Sequence, residues 1–365
     1  MKKEKQKQGV IDKQDLTIIE NSEAYELKEK LIEYSKEVGI DVIGFSDVKP
    51  FLFLETELKR REELGWSSGL TKGSIEERTN PLLSMENAKS FVSIGVSYPR
   101  QTELPKQDKE DPFVQFCRSS WGMDYHDIVG KKLQLLEDWL KEHISGIEVI
   151  GSVDTGVFND RAVALRSGIG FSGKNSSIIN ETFGSYIYLG ELLVSYEFPP
   201  DTPIERLCGT CDRCVRACPT KAIQPEGSLN EKRCLSYVTQ SKEYLAPELY
   251  EKISKNVYGC DICQEVCPFN REVDFHLHAE MEPTGAEFPK ISELLTMTNK
   301  EFKSKYGHLA GSWRGVSVLK RNAMFNAGFY KYKAALPEIA KIRDGQGPDW
   351  LKEAAKQAYE RLDNK

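Results

Sequence analysis

The first two hundred residues alternate between helical and extended apolar periodicity. Leu27, Leu31, Tyr34 and Val38 recur at helical spacing, and Gly39 stands where such a helix should stop. IDVIGFS (40–46) then predicts a buried strand, LFLETELKRREEL (52–64) a second helix and SFVSIGVSY (90–98) a second strand. HDIVGKKLQLLEDWLKEH (126–143) is amphipathic, and IEVIGSVD (147–154) predicts a third strand. DRAVALRSG (160–168) predicts a short helix, and SYIYLGELLVSYEF (185–198) a pair of strands. This alternation predicts an α/β (α+β) domain over 21–198, preceded by a charged tail at 1–20.

The pattern breaks at the proline-bearing EFPPDTPIERL (197–207), and a cysteine-bearing segment, 199–275, follows. HLHAEMEPTGAEFP (276–289) reads as a second linker. From 290 to 365 four amphipathic helices are expected, ISELLTMTNKEFKSKYG, SVLKRNAMFNAGFYKY, AALPEIAKIRD and DWLKEAAKQAYERL. Pro337 near the start of the third is tolerated because the first turn needs no amide donor. Antiparallel helix pairs of this length resemble a HEAT-like repeat.

Composition narrows the class. With 39% hydrophobic and 29% charged residues, the 365-residue chain has the make-up of a soluble protein of two or three domains. It shows no apolar run long enough for a membrane span. MKKEKQKQGVIDKQD at the N-terminus has no apolar h-region and no twin arginine, so a cytoplasmic protein is expected. The net charge of −6 argues against a surface that binds nucleic acid everywhere. Between Lys300 and Arg343, however, ten basic residues face two acidic ones, which is either a solvated helical face or a local anionic-partner surface.

Eight of the nine cysteines fall between Cys208 and Cys267. Concentration of this kind points to metal rather than disulfides. Cys208, Cys211, Cys214 and Cys218, followed by Pro219, have the C-x2-C-x2-C-x3-C-P spacing of bacterial ferredoxins, in which the fourth thiolate ligates the other cluster. A second copy supplies Cys260, Cys263 and Cys267-Pro268 but has Val257 at its first position, and Cys234 is the spare thiol nearby. The expected sets are Cys208, Cys211, Cys214 and Cys267 for one 4Fe–4S cluster, and Cys218, Cys234, Cys260 and Cys263 for the other. Paired zinc knuckles are the alternative, but three cysteines at two-residue gaps are poor zinc spacing. Two clusters so held lie on the order of 10 Å apart and pass single electrons.

A free electron carrier would not need the preceding two hundred residues. No G-x-G-x-x-G opens a helix after a strand, which removes a Rossmann nicotinamide site. The corrinoid motif D-x-H-x-x-G begins at Asp124-Tyr125-His126, but its glycine falls one residue late at Gly130.

FCRSSWGMDYHD (116–127), VDTGVFNDRAVA (153–164), GIGFSGKNS (168–176), the cysteine region and GHLAGSWRG (307–315), in that order, resemble the epoxyqueuosine reductases. The resemblance runs from about residue 24 through the C-terminal helices. It implies base-off cobalamin in the N-terminal domain, two 4Fe–4S clusters, and reduction of epoxyqueuosine to queuosine at the wobble position of a tRNA with a GUN anticodon. It also implies an external low-potential electron donor and a monomeric enzyme. By the same resemblance Asp154 is the proton donor to the departing epoxide oxygen, with a pKa raised by a dry pocket. Arg78, Cys117, Asp154, Asn159, Asp160, Arg161 and Ser172 are the expected cobalamin contacts. Lys174, His308, Trp313, Arg314, Lys320 and Arg321 are the expected tRNA contacts.

Two other readings share these residues. One is a soluble reductive dehalogenase-like enzyme, which gives no reason for a basic helical tail. The other is a ferredoxin-type electron-transfer subunit, which would carry no stoichiometric cobalamin.

Overall fold

The structure, a computed structural model, describes residues 22–243 and 246–364; the charged tail expected at 1–20 lies outside them. The chain opens with α1 (Ser22–Glu37), which buries Ala24, Lys28, Leu31 and Ser35 on one face. Gly39 takes φ 74°, the left-handed conformation that ends a helix without a Cβ penalty. β1 (Val42–Ser46), α2 (Leu52–Glu63) and α3 (Ile75–Thr79) follow. The short α3 has too few residues for a periodic signal. Its start is set by a capping box, Ser74 and Glu77 each accepting from the other's backbone amide.

β2 (Ser90–Ser97), β3 (Gln115–Phe116), α4 (Tyr125–His143), β4 (Val149–Ser152), α5 (Asp160–Arg166), β5 (Phe171–Ser172), β6 (Ile178–Ile179) and β7 (Ile187–Val194) complete the first half. Four strands form one sheet in the order β1, β2, β7, β4, with every neighbour antiparallel. β2 is buried along its whole length because α4 covers one face and α5 the other. On the α5 face Phe91 is fully buried and meets Phe158 edge-on at 5.2 Å; deleting such a ring costs about 3–5 kcal/mol.

Two expectations are corrected here. The pair of strands over 185–198 is one eight-residue strand, because Gly190 is not a turn. A Cβ there would press on Val129 and Leu133, so the glycine admits α4 to the sheet. The third expected strand, 147–154, is also shorter: β4 runs only from Val149 to Ser152, in a sheet whose neighbours are all antiparallel. Asp154 instead lies just past β4, an edge strand.

The second half contains α6 (Arg213–Ala217), α7 (Leu235–Gln240), α8 (Pro247–Tyr250), β8 (Asn256–Tyr258) and α9 (Ile262–Glu265). β8 pairs in parallel with β3, with Phe116 opposite Tyr258, which sets Cys117 beside Gly259 and Cys260. The last helices are α10 (Ile291–Thr296), α11 (Asn299–Tyr306), α12 (Val316–Tyr330), α13 (Leu336–Asp344) and α14 (Asp349–Asp363). The first expected C-terminal helix is therefore two, broken at Thr298, which makes a capping box with Glu301. One core joins Phe116, Val238, Val257, Leu294, Leu319 and Ala355, so these helices share their interior with β3 and β8.

Candidate active site and cluster pockets

The β3–β8 pairing and the start of α4 build one pocket. Asp124 caps α4 by accepting from the His126 amide at 3.0 Å, and the same carboxylate meets His126 Nδ1 at 2.7 Å. On the far side of the imidazole, Nε2 lies 3.6 Å from Asp154 Oδ2. Tyr125 donates its hydroxyl to that oxygen at 2.9 Å. Tyr98, Tyr188 and Tyr125 stack in series, with centroid distances of 4.3 and 4.5 Å, and His126 lies on Tyr125 at 4.1 Å. An aromatic floor thus carries two carboxylates bracketing an imidazole.

The electrostatics of that row follow. The hydrogen bond to Asp124, and then the nearby Asp154 carboxylate, raise the His126 pKa to about 9, so at neutral pH it is an imidazolium. His126, aided by Tyr125, holds the Asp154 carboxyl below its ordinary value although burial opposes this. In the protein alone the Asp154 carboxyl is therefore lowered rather than raised. Its side chain is 63% exposed, and the proton sits next door. Asp154 adopts φ 51°, a left-handed conformation rare for a non-glycine residue, in a loop pinned by its own amide donating to Asp160 Oδ2 at 3.0 Å. Burial and the Asp154 charge raise the Asp160 pKa to about 6.

Of the other residues expected at the cobalamin, Cys117 is buried, donates its amide to the Tyr258 carbonyl at 2.9 Å, and packs so tightly on Gly259 that a Cβ there would collide with its sulfur. Burial pushes its thiol far above the usual range. Asn159 caps α5 by accepting from the Ala162 amide, and Asp160 holds the Asp154 loop, so both already act within the chain. Arg161 donates to the Ser176 carbonyl at 3.0 Å. Arg78 is half-buried, close to Arg161 and Arg61, and makes no ion pair among the described residues. Ser172 lies half-buried on β5, next to a loop in which Asn175 Nδ2 and Ser176 Oγ are buried without a hydrogen-bond partner. An under-compensated guanidinium pair beside orphaned amide and hydroxyl groups suits a ligand bearing a phosphate and carboxamides, as cobalamin does.

The first expected thiol set shares a cavity. Cys208, Cys211, Cys214 and Cys267 line one cavity of about 210 Å³ together with Lys174 and Arg213. Lys174 Nζ donates to the carbonyls of Gly209 (3.0 Å) and Cys211 (2.9 Å). The structure thus ties Lys174 to the cysteine loop, not to an RNA surface, which corrects that expectation. Cys218 accepts from the Ala222 amide at 3.2 Å. Burial raises the Cys234, Cys260 and Cys263 thiols, and mutual repulsion within this group and with Cys218 adds to it. Four thiols facing a shared space, with cations and amides around them, suit a cubane cluster.

The expected tRNA residues divide. Trp313 is 55% exposed, with Arg314 over its ring at 4.3 Å, and its Nε1 donates to the Tyr258 hydroxyl at 3.0 Å and to Gln240 at 3.2 Å. Tyr258 feels the Asp154 and Asp124 charges, so this stack borders the active pocket. His308 is exposed and Lys320 half-buried. Arg321 is a correction. It is fully buried on α12 and donates to the carbonyls of Val238 (2.7 Å) and Ser241 at the end of α7. The basic count included a structural arginine.

Periodicity and spacing missed Tyr125 and His126, which were read only as the start of a failed corrinoid motif. The signal available was Asp124 directly before an amphipathic helix, an N-cap that fixes where Tyr125 and His126 point.

Comparison with known proteins agrees with this geometry. Residues 78–155 match the family model described as Epoxyqueuosine reductase QueG, DUF1730, and residues 207–270 match a 4Fe-4S double cluster binding domain. An epoxyqueuosine reductase of Bacillus subtilis is 47% identical over 87% of this chain and 83% of its own, and one of Lactococcus garvieae 40% identical over 93% and 97%. An epoxyqueuosine reductase solved with an epoxyqueuosine-modified tRNA-Tyr stem loop superposes with TM-score 0.90 at 44% identity, over 93% of this chain and 91% of that one. A B. subtilis structure whose catalytic aspartate loop is swung out of the active site gives 0.89 at 43%, over 93% and 91%. At this similarity, over nearly the whole length, the chain belongs to the epoxyqueuosine reductases.

Proposed function

We propose that this protein reduces epoxyqueuosine to queuosine in the anticodon of tRNA, with the row Asp124, His126, Asp154 as its proton machinery. The observation that carries the reading is that row, set beside a double-cluster thiol array in a chain of this family. Epoxide and two electrons and two protons give alkene and water. Cobalamin, when bound, supplies a strong reductant at carbon, and two 4Fe–4S clusters supply single electrons. Arg78, Arg161, Ser172 and Cys117 would hold the corrinoid, in its base-off form. Cys208, Cys211, Cys214 and Cys267 would hold one cluster, and Cys218, Cys234, Cys260 and Cys263 the other.

The chain's own part is to bind, dry and protonate. Trp313 offers a stacking face beside the Arg314 charge, which suits a splayed base and its phosphate. A nucleoside seated on the tyrosine floor covers the exposed Asp154 carboxylate. Desolvation then raises its pKa and draws a proton from His126 toward Oδ2, from which the departing epoxide oxygen takes it. Asp124 keeps the imidazole oriented and charged. The left-handed backbone at Asp154 and its tether to Asp160 let the loop deliver this group without moving the sheet.

The test is direct. Reduced, cobalamin-loaded protein is incubated with epoxyqueuosine-bearing tRNA, and the nucleoside is weighed by mass spectrometry. Loss of one oxygen is expected; an unchanged mass with full cofactor content overturns the assignment.

A further inference from the structure

Beside the cavity lined by Cys208, Cys211, Cys214 and Cys267 lies an open recess of about 540 Å³ walled by Arg100, Arg213, Arg216 and Arg271. The two spaces share Arg213, Cys267 and Pro268. Among the described residues the guanidiniums of Arg100, Arg213 and Arg271 make no ion pair; the Arg100 amide donates to Asp274 Oδ1 at 3.2 Å, and its guanidinium to the Arg271 carbonyl at 3.2 Å. Arg216 is met by Asp212 at 3.0 Å, and Glu265 in the wall is engaged at 2.9 Å by Arg118. Leu207 and Phe269, 49% and 36% exposed, line the neighbouring thiol cavity. A basic, partly apolar surface around one redox centre matches a small carrier with carboxylates around its own.

The order of the groups says which end this is. Cys260 and Gly259 pack against Cys117, within the electrostatic reach of the Tyr258 and Asp154 pocket, so the set that includes Cys234 faces the chemistry. The helices that carry Cys214 and Cys263, α6 and α9, pack against one another, so the first set stands next in line. Its outer ligand Cys267 opens on the arginines.

We propose that this arginine recess is the docking surface for the electron donor, an acidic one-electron protein carrying a low-potential flavin or iron–sulfur centre. The proposal rests on the two-cluster reading above. Each docked carrier gives up one electron and is itself oxidised by one. Two dockings supply the pair that, with two protons, turns the epoxide into alkene and water. RNA phosphate is the competing occupant of any arginine cluster. Here the exposed Trp313 and Arg314 stack lies at the Asp154 end, while the recess adjoins the first thiol set and contributes no base-stacking ring.

The test uses the loaded protein and flavodoxin hydroquinone as probe. Charge reversal of two exposed wall residues, Arg216→Glu with Arg271→Glu, is expected to slow the bimolecular reduction of the protein about tenfold at low salt, with the difference shrinking as salt rises. The Kd for oxidised flavodoxin by calorimetry should rise by a similar factor. Reduction by dithionite, iron content and affinity for an epoxyqueuosine stem loop should stay unchanged. Equal flavodoxin rates in the two proteins, or a wild-type rate indifferent to salt, would overturn the proposal. Loss of stem-loop affinity would give the recess to RNA. Should the double variant lose iron, Arg271→Gln alone is measured in the same way. A wild-type protein that dithionite cannot reduce would instead fail the two-cluster reading itself.

Discussion

The two thiol sets, the ends of the proposed electron route, sit in opposite surroundings. At one end Cys208, Cys211, Cys214 and Cys267 open toward solvent among Lys174, Arg213 and the arginine recess. At the other, Cys260 lies beside Cys117 under a tyrosine stack, and the nearest carboxylates are Asp261, paired with Arg118, and Glu231 near Cys234. Both sets begin from the same ligand chemistry, so the difference lies in what the fold lays against them. Cations and access suit a centre that meets a protein partner, because approach there is electrostatic and reversible. Exclusion of water suits a centre that serves a reaction, because each charge in a dry pocket acts at full strength.

The sharpest way to break the comparison is to remove the thiol that the second motif lacks. Cys234→Ser should lower iron from about eight to about four atoms per chain and abolish turnover, while the first set keeps its iron. Loss of all iron would mean that the sets do not load separately. Next in size is the proton machinery. Asp154→Asn should retain iron and cobalamin yet lose about 10²–10⁴-fold in turnover; full activity would remove Asp154 from the reaction. His126→Gln should cost about tenfold or more and change the pH profile. The folded pKa of His126 is raised to about 9, so in the fold its proton is lost only as pH rises through 9, while the stability it lends is fully present below the unfolded value of about 6.5 and is lost between there and 9. Wild-type turnover should therefore fall around pH 9, and the stability the imidazolium lends by pairing with Asp124 should fall earlier, from about 6.5 to 9. An alkaline limb that survives His126→Gln would assign it elsewhere.

A different measurement separates the two kinds of arginine on the C-terminal helices. Arg321→Met leaves the Val238 and Ser241 carbonyls without their buried donor and should lower stability by about 1–3 kcal/mol with stem-loop affinity intact. Trp313→Ala should do the reverse, costing about 1–3 kcal/mol in binding. Denaturant melts and stem-loop titrations on both variants check the contrast.

How far the sequence carries differs between these ends as well. The double-cluster region was legible because cluster ligation is a matter of local spacing. The four strands of the main sheet and the longer helices were legible from periodicity, whereas the short strands β3, β5, β6 and β8 were not. The tyrosine floor was not, since Tyr98, Tyr125 and Tyr188 sit on three elements and meet only in the folded sheet. Burial of Arg321 was equally hidden, because a basic count does not distinguish a solvated guanidinium from one that caps another helix. Gly190 misled for the opposite reason: a packing glycine and a turn glycine look alike until their neighbours are known. The recess was illegible too, its walls coming from residues 100, 213, 216, 265 and 271.

The mildest test probes how dry the reaction end is, through a residue that no motif marked. Glu191 stands in the middle of β7, fully buried, opposite Ser93 and Ser152 on the adjoining strands, and neither carboxyl oxygen finds a hydrogen bond of normal geometry. Burial, and then the charge of Asp160, raise its pKa well above the ordinary value. A carboxyl whose folded pKa exceeds its unfolded value of about 4.3 makes the protein less stable as pH rises from there toward the folded pKa, by about 1.4 kcal/mol per pH unit. Glu191→Gln removes the ionisation while keeping the shape. Its stability relative to wild type should therefore be flat below about pH 4.3 and climb above it, read from melting of the cofactor-free protein across that range. A parallel pair of curves would mean that Glu191 is charged in the fold and that water reaches the sheet beneath Asp154. The contrast between a wet entry and a dry exit would then have to rest on Cys117 and the tyrosines alone.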